Sequence, residues 1–560
     1  MTTEEATETT PEAIKRETTR SLRSIFIGLA IFLVALGLRY VHLTELVETE
    51  FFDERAFVVD ARYYDMRATE IAGGDLYGDS PAYLSPTYCH ALGLLYSLPG
   101  FDLEMAKYAQ ALLGAFSALL TYLIGRKLFG DLAGTLAGGS AAAYGLFIYY
   151  SGLLLPATLL LFLHLLLLWV LLARPLNPTR AMFVGVLLGL SIGTKANALL
   201  LVPVIGGWIL LDKRVPELKV RAGWLGAFAL GTLLSLAPIT YGNYQTSGEF
   251  VLVSTTGGRN LLKGNGPTAN GTHVDLDLKR RTSTLGTYMA GKTHAVAAVR
   301  EDHRLRGDAI EYMLDNPGRT IALFGKKLLL FFNQLELGIR DSYPFARTQT
   351  RLLGGPLLDF GLVIPFGLAG LLLLSTRSRD TKLLAFVTAT QVASFVLVFV
   401  LARYRVVAVA LLLVFAGGFC ADLIRSLRAK NIRRLAAAVV ALALSFGLVH
   451  YKIEGVPRKP ATGEQLEYLG ERAAHREEYE LAMEYFEQAK DANFAMNQQE
   501  GRWRVQIRIG KCLVHLERPE EARRLWTVLY YDITDKKSKT AGEVREELRD
   551  RLAELDEPDN

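Results

Sequence analysis

Apolar residues gather into eleven blocks along the chain, near 24–44, 104–124, 131–150, 153–173, 181–194, 197–212, 222–242, 358–376, 383–402, 405–424 and 433–450. Most approach the roughly 20 residues that cross a bilayer core, and within them apolar positions run on continuously instead of marking one face. The pattern predicts an all-α polytopic membrane protein with about 11 transmembrane helices over 21–450. The blocks at 181–194 and 197–212 are short, which predicts helices packed inside the bundle around Lys195. Ile321 to Phe332 is apolar but carries Lys326 and Lys327, and it reads as an interfacial or re-entrant helix.

Charge orients the spans. Basic residues fall in every second connection: Arg126 and Lys127, Arg174 and Arg180, Lys213 to Arg221, Arg377 to Lys382, and Arg425 to Arg434. The positive-inside rule makes these cytoplasmic, and the N-terminus with them. The long loops 45–103 and 243–357 and the C-terminal region then face the other side, as in a multi-pass protein of a bacterial inner membrane. The first block follows Lys15, Arg16, Arg20 and Arg23 as in a signal peptide, yet it lacks a small-residue cleavage site and is long enough to span, so it is expected to be retained. Residues 1–20, rich in Thr and Glu, are expected to form a disordered cytoplasmic tail.

The net charge of +5 over 560 residues is dispersed beside apolar blocks, which argues against nucleic acid as a partner. Cys89, Cys420 and Cys512 are too scattered for a disulfide framework or a metal spacing.

The tail changes character over 461–550. Gly470, Ala482 and Phe486 are spaced 12 and 4 apart, and Gly510, Ala522 and Trp526 repeat those intervals. Small residues at such offsets let two antiparallel helices approach while an aromatic fills the gap, which is the logic of a tetratricopeptide pair. A soluble α-helical repeat domain is expected, leaning on the membrane region or on a protein partner. A plain helical hairpin is the alternative.

The candidate chemistry lies at the outer rim. The apolar blocks hold almost no Asp or Glu, whereas an ion-coupled transporter would normally place acids there. Asp53, Glu54, Asp60 and Asp65 collect instead among aromatics just after the first block. A carboxylate walled by aromatic rings can act as general base, although a solvated loop charge is the simpler reading for any one of them. Asp60, Tyr63 and Tyr64 share a face if this run is helical. Arg403 and Arg405 interrupt two apolar blocks on the side where positive charge is avoided. A lipid-borne phosphate would explain them through bidentate guanidinium bonds, and Lys195 lies at the same depth; snorkelling to phospholipid headgroups is the alternative for all three.

The stretch VVDARYYDMRATEIAGGDLYGDSPAYLSPTYCHALGLLYSLPG resembles the first outer loop of bacterial GT-C glycosyltransferases related to protein O-mannosyltransferases and aminoarabinose transferases. In that family the first-loop acid is the presumed base, which the resemblance carries onto Asp60, with Asp53 and Glu54 as alternates. Tyr64, Tyr83 and Pro86 match flanking positions and, with Tyr63, are implied to shape the substrate pocket. GLSIGTKANALLLVP is similar to the family's short fifth and sixth helices around Lys195. The stretch from Tyr241 to Gly271 is similar to the one after helix 7, with Asn243, Gly258, Asn260, Gly264 and Asn265 in place. FFNQLELGIRDSYPFAR resembles the loop closing over the donor, which adds Asn333 and Glu336 to the implied pocket, and ARYR matches the motif implying phosphate contact by Arg403 and Arg405. The sequence departs from the family between its third and fourth helices, where Ser151 stands in place of an acid; Glu336 or Asp341 are the available substitutes.

The resemblance implies an inverting transfer from a polyprenyl-phosphate sugar donor to a protein, lipid or glycan acceptor. Metal dependence stays open, since His42 and His90 are isolated and no cofactor is indicated. A membrane scaffold or lipid-linked saccharide transporter is the reading from another class, and transfer of a group other than a sugar is the enzymatic rival. Asn270-Gly271-Thr272 fits both a glycosylation acceptor and a turn.

Overall fold

The computed structural model describes residues 11–53, 55, 58–215, 217–273, 292–339, 342–454, 462–494, 498–534 and 539–556. Among them there is no β-strand; the chain is an all-α polytopic membrane protein. Among the described residues five helices are long and apolar enough to cross a membrane, Leu22–Val47, Leu103–Phe129, Leu218–Ser247, Ala402–Arg428 and Ile432–Val449. Four shorter apolar helices, Ala157–Ala173, Pro178–Thr194, Ala196–Leu210 and Phe360–Leu374, fall on further predicted blocks. The first helix begins at Pro11, so the second half of the expected disordered tail is helical, and residues 1–10 lie outside the described residues.

Two predicted blocks depart from a continuous helix, for a shared reason. Block 131–150 divides into Asp131–Ala142 and Gly145–Ser151. The amide of Gly145 donates to Leu358 O at 3.0 Å and that of Leu358 to Ala143 O at 3.1 Å, so the break meets the needs of its own freed backbone groups. Block 383–402 is helical only to Val396. Its last residues are held by side chains and loops: Asn265 Nδ2 donates to Leu397 O at 2.9 Å, Val400 N to Gly271 O at 3.1 Å and Ala402 N to Leu337 O at 2.7 Å. Unwound backbone at this depth is tolerable only where protein or a water-filled cavity surrounds it.

Glycine sets a close helix pairing. Gly185, Gly189 and Gly193 recur every four residues on Pro178–Thr194 and so share one face. A Cβ on Gly185 would collide with the carbonyl of Phe228, and one on Gly231 with that of Met182. The two backbones therefore touch, which is how small residues drive association where lipid removes the hydrophobic incentive. The helix after Lys195 is less enclosed than expected, because Leu199 and Leu200 are exposed on its outer face.

The tail folds into helices Gly463–His475, Tyr479–Asp491, Gln498–His515, Pro519–Thr534 and Lys539–Asp556. Gly470 lies against the Phe486 ring and Gly510 against the Trp526 ring, with Ala482 and Ala522 fully buried. A small apolar cluster of Leu43, Leu46, Phe51, Phe345, Tyr468 and Leu469 joins this region to the end of the first helix. Arg472 and Arg476 both pair there with Glu50.

Candidate functional site

A cavity of about 820 Å³ opens where the loops meet the helix ends. Asp60 lies in the first turn of helix Val59–Ala72, Lys195 follows the last residue of Pro178–Thr194, and Arg403 starts Ala402–Arg428. All three line the cavity, so residues 343 positions apart in sequence meet at one wall. Arg403 Nη2 is 2.9 Å from Asp60 Oδ2, with side-chain exposures of 12% and 32%. Tyr404, also in the wall, has the Lys195 ammonium 4.3 Å from its ring centre and the Arg403 guanidinium 5.6 Å away, so one aromatic ring gathers both cations.

The aromatics beside Asp60 form two layers. Tyr64 and Tyr83 line the cavity, and the Tyr64 hydroxyl lies 3.1 Å from Ser85 Oγ. Burial, and after it the charge of Asp60, raises the Tyr64 phenol well above its ordinary pKa, so it stays a neutral hydrogen-bond donor. Tyr63 stands behind them, edge-on to both rings, and its hydroxyl accepts from Tyr83 N at 3.3 Å. Pro86 opens helix Pro86–Tyr96 and, like Tyr63, borders a separate small cavity of about 30 Å³. Ser85 before it has φ +39°, a left-handed conformation that costs a non-glycine residue about 1–2 kcal/mol. That strain sits in the cavity wall, where held-in strain tends to mark function.

Other predicted residues are placed elsewhere. Arg405 is 1% exposed and does not line the cavity: it pairs with Glu336 at 2.5 Å and donates to the carbonyls of Asn333 at 2.6 Å and Leu335 at 2.7 Å. Two residues further along a helix reverses the face, so Arg403 and Arg405 diverge. Burial raises the Glu336 carboxyl above its ordinary range while Arg405 pulls it back, and Glu336 is not among the residues that line the cavity. Asn333 donates to Tyr451 O at 2.7 Å and tethers the same segment. Asp53 is engaged by Arg55, whose hydrogen bond holds its carboxyl below the usual range; Arg55 also reaches Asp65 at 2.9 Å. Glu54 and Asp341 lie outside the described residues. Ser151 is fully buried and donates to Ile148 O.

The matched residues of the long outer loop are mostly fasteners. Asn243 accepts from Ala82 N and donates to the carbonyls of Val251 and Val253, tying two cavity-lining segments together. A side chain on Gly258 would strike the Asp302 carbonyl, and one on Gly264 that of Val398. Asn270 accepts from both the amide and the hydroxyl of Thr272, so this triplet closes a turn.

Sequence reading missed the other basic wall. Arg259 and Lys263, one turn apart on Gly257–Asn265, line the cavity with His303 and Arg306 of Lys292–Asp315. Asp302, 4% exposed, accepts from Gly258 N at 2.7 Å and pairs with Arg306 at 2.8 Å. His273 also lines the cavity, its Nε2 3.0 Å from the Lys263 ammonium. Burial first, then the charges of Lys263 and Arg403, pushes the imidazole down to about 3, so it is neutral and accepts from Lys263. The i,i+4 spacing of Arg259 and Lys263 was the available signal. Among the described residues no three His, Cys, Asp or Glu side chains group as a metal site would need.

The segments carrying Tyr83 and Lys195 fall within a recognised pattern, and the second basic wall falls outside it. Residues 81–241 match the model of the dolichyl-phosphate-mannose-protein mannosyltransferase family. No curated protein sequence matches the chain. Among solved structures, the chain is similar to the Archaeoglobus fulgidus oligosaccharyltransferase in the apo form, with 16% identity, TM-score 0.41, and coverage of 82% of this chain and 59% of that one. Archaeal oligosaccharyltransferase AglB from the same organism, in complex with an inhibitory peptide and a dolichol-phosphate, gives 15% identity, TM-score 0.44 and coverages of 82% and 59%. ArnT from Cupriavidus metallidurans bound to undecaprenyl phosphate gives 13%, 0.39, 96% and 76%. The chain thus spans about three fifths of the oligosaccharyltransferase.

Proposed function

We propose that this protein moves a sugar from a polyprenyl-phosphate carrier to an acceptor hydroxyl on the extracytoplasmic side of the membrane. The observation that carries the reading is the Asp60–Arg403 pair, 2.9 Å apart, in a cavity that also receives Lys195. The match of residues 81–241 to a family described by lipid-phosphate sugar transfer supports it. Part of the cavity wall is apolar, with Leu155, Leu160, Leu199 and Phe250, and the last two are also exposed on the outside of the bundle. A polyprenyl chain entering from lipid would follow that wall and leave its phosphate at Lys195 and Arg403.

In the transfer, the acceptor oxygen attacks the anomeric carbon as its proton passes to Asp60. The bond from that carbon to the phosphate oxygen breaks, and the electron pair stays on the phosphate, opposite Arg403 and Lys195. Attack from the face away from the leaving group inverts the anomeric centre. Fixed cations at the leaving group contribute more than the proton transfer, because preorganised charge acts without reorganising at the moment of reaction. With Oδ2 on Arg403, the other carboxylate oxygen is the one offered to the acceptor. Arg405, which the resemblance grouped with Arg403, has a positioning role in this reading.

The C-terminal helices are read as two tetratricopeptide-type pairs followed by a further helix, fixed beside the outer loops through Phe51, Tyr468 and Glu50. Membranes from expressing cells, incubated with a panel of radiolabelled polyprenyl-phosphate sugars, test the reading. Label should pass from one lipid to a non-lipid or new lipid product, and absence of transfer from every donor in the panel would overturn it.

A further inference from the structure

Each guanidinium in the cavity wall has a carboxylate beside it: Arg403 has Asp60 at 2.9 Å, Arg306 has Asp302 at 2.8 Å and Arg259 has Glu301 at 3.7 Å. Lys263 meets the His273 ring at 3.0 Å. Lys195 differs. Among the described residues no carboxylate pairs with its ammonium, which stands instead 4.3 Å from the centre of the Tyr404 ring. A carboxylate at that place would cancel the charge that a phosphate needs. An aromatic face attracts the ammonium through its quadrupole and leaves the full positive charge in the cavity.

The break between two helices brings the ring to this place. Helix Arg379–Val396 ends, the chain turns through Leu397 to Leu401, and Tyr404 in the first turn of Ala402–Arg428 returns to stack on Phe395, with ring centres 4.8 Å apart and planes at 14°. Phe395 is 3% exposed, so the Tyr404 ring rests on a packed base. The segment after Lys195 is fastened to the same helix end, where Asn197 Nδ2 donates to Ser394 Oγ at 2.7 Å. Lys195 and Tyr404, distant in sequence, are thus both set by the adjacent residues Ser394 and Phe395.

We propose that Tyr404 is a positioning residue for the transfer, its ring holding the Lys195 ammonium in the cavity without a counter-ion, in place for the carrier phosphate. This rests on the reading that puts the phosphate at Lys195 and Arg403, and it gives the unwound segment from Leu397 to Leu401 a task. A lysine stem is flexible, and ordering it before the ligand arrives removes that cost from binding. The ring face carries the role, and the hydroxyl does not.

The test measures Kd for undecaprenyl phosphate on full-length protein in nanodiscs. Tyr404→Leu should weaken binding about fivefold or more, and Tyr404→Phe should stay within about twofold of wild type. Lys195→Gln should weaken binding as well, and Tyr404→Leu added to it should cause no further loss, because the ring acts through the ammonium. Additive losses in the double variant are what a ring that only fills space would give, and they would overturn the proposal. Equal loss in Tyr404→Phe and Tyr404→Leu, or no loss in Lys195→Gln, would overturn it too. If Tyr404→Leu unfolds for want of its stack on Phe395, Tyr404→Phe with a fluorinated ring keeps the shape and drains the π face; affinity indifferent to the fluorines then overturns the proposal. Failure of the wild type to bind undecaprenyl phosphate would strike the transfer reading itself, a separate outcome.

Discussion

Arg403 and Arg405 stand two residues apart at the start of one helix and meet opposite partners: Arg403 reaches Asp60 at 2.9 Å in the cavity, and Arg405 reaches Glu336 at 2.5 Å behind it. The first pair faces substrate space. The second clips the segment from Phe331 to Leu337 onto the helix that carries the first.

Their substitutions should therefore differ in kind. Arg405→Gln leaves Glu336 buried without its counter-ion and several carbonyls without a donor, a loss of about 3–5 kcal/mol. Thermal unfolding in detergent should show a large drop. Arg403→Gln should unfold near the wild-type temperature and lose about 10²-fold or more in turnover, as expected when a cation facing a leaving group is removed. Equal unfolding temperatures for the two variants would contradict this division.

Helix positions were legible in the sequence because a bilayer demands long apolar runs, and each predicted block contains helix over most of its length. What the pattern could not show was where backbone leaves the helix. Ala143 to Tyr144 and Leu397 to Leu401 are as apolar as their surroundings, and their long-range hydrogen-bond partners are Leu358, Asn265 and Gly271, distant in sequence. The same limit explains the site. Asp60 stood out as an acid among aromatics, and Arg403 as a charge on the avoided side. Arg259, His303 and Arg306 lie in a polar loop where basic residues are common, and only folding places them in the cavity. Arg405 shared the motif with Arg403, and the helical turn between them decided their separate roles.

The C-terminal hairpins should be sensitive at their glycines. Gly510→Leu would drive a side chain into Trp526, and overpacking of this sort costs about 1–3 kcal/mol. Limited proteolysis should open the region after residue 462 while carrier binding by the membrane region is unchanged. Wild-type resistance to protease would show that the packing at Gly510 is not tight.

His273 gives a pH dependence of known sign. Its folded pKa of about 3 lies below the ordinary 6.5, so between those values the unfolded chain binds a proton that the folded chain does not. Stability then falls as pH drops below 6.5, by up to about 2 kcal/mol at pH 5 from this group. His273→Gln should flatten that part of the curve when unfolding is followed from pH 7.5 to 5. An unaltered slope would mean that the ring is solvated enough to titrate normally.

The central claim is that the Asp60 carboxylate takes the acceptor proton beside Arg403, and Asp60→Asn tests it most directly. Transfer from the polyprenyl-phosphate sugar that the wild type uses should fall by about 10²–10⁴-fold, with undecaprenyl phosphate still bound by the freed Arg403 and Lys195. Turnover near the wild-type rate in that variant would contradict the account.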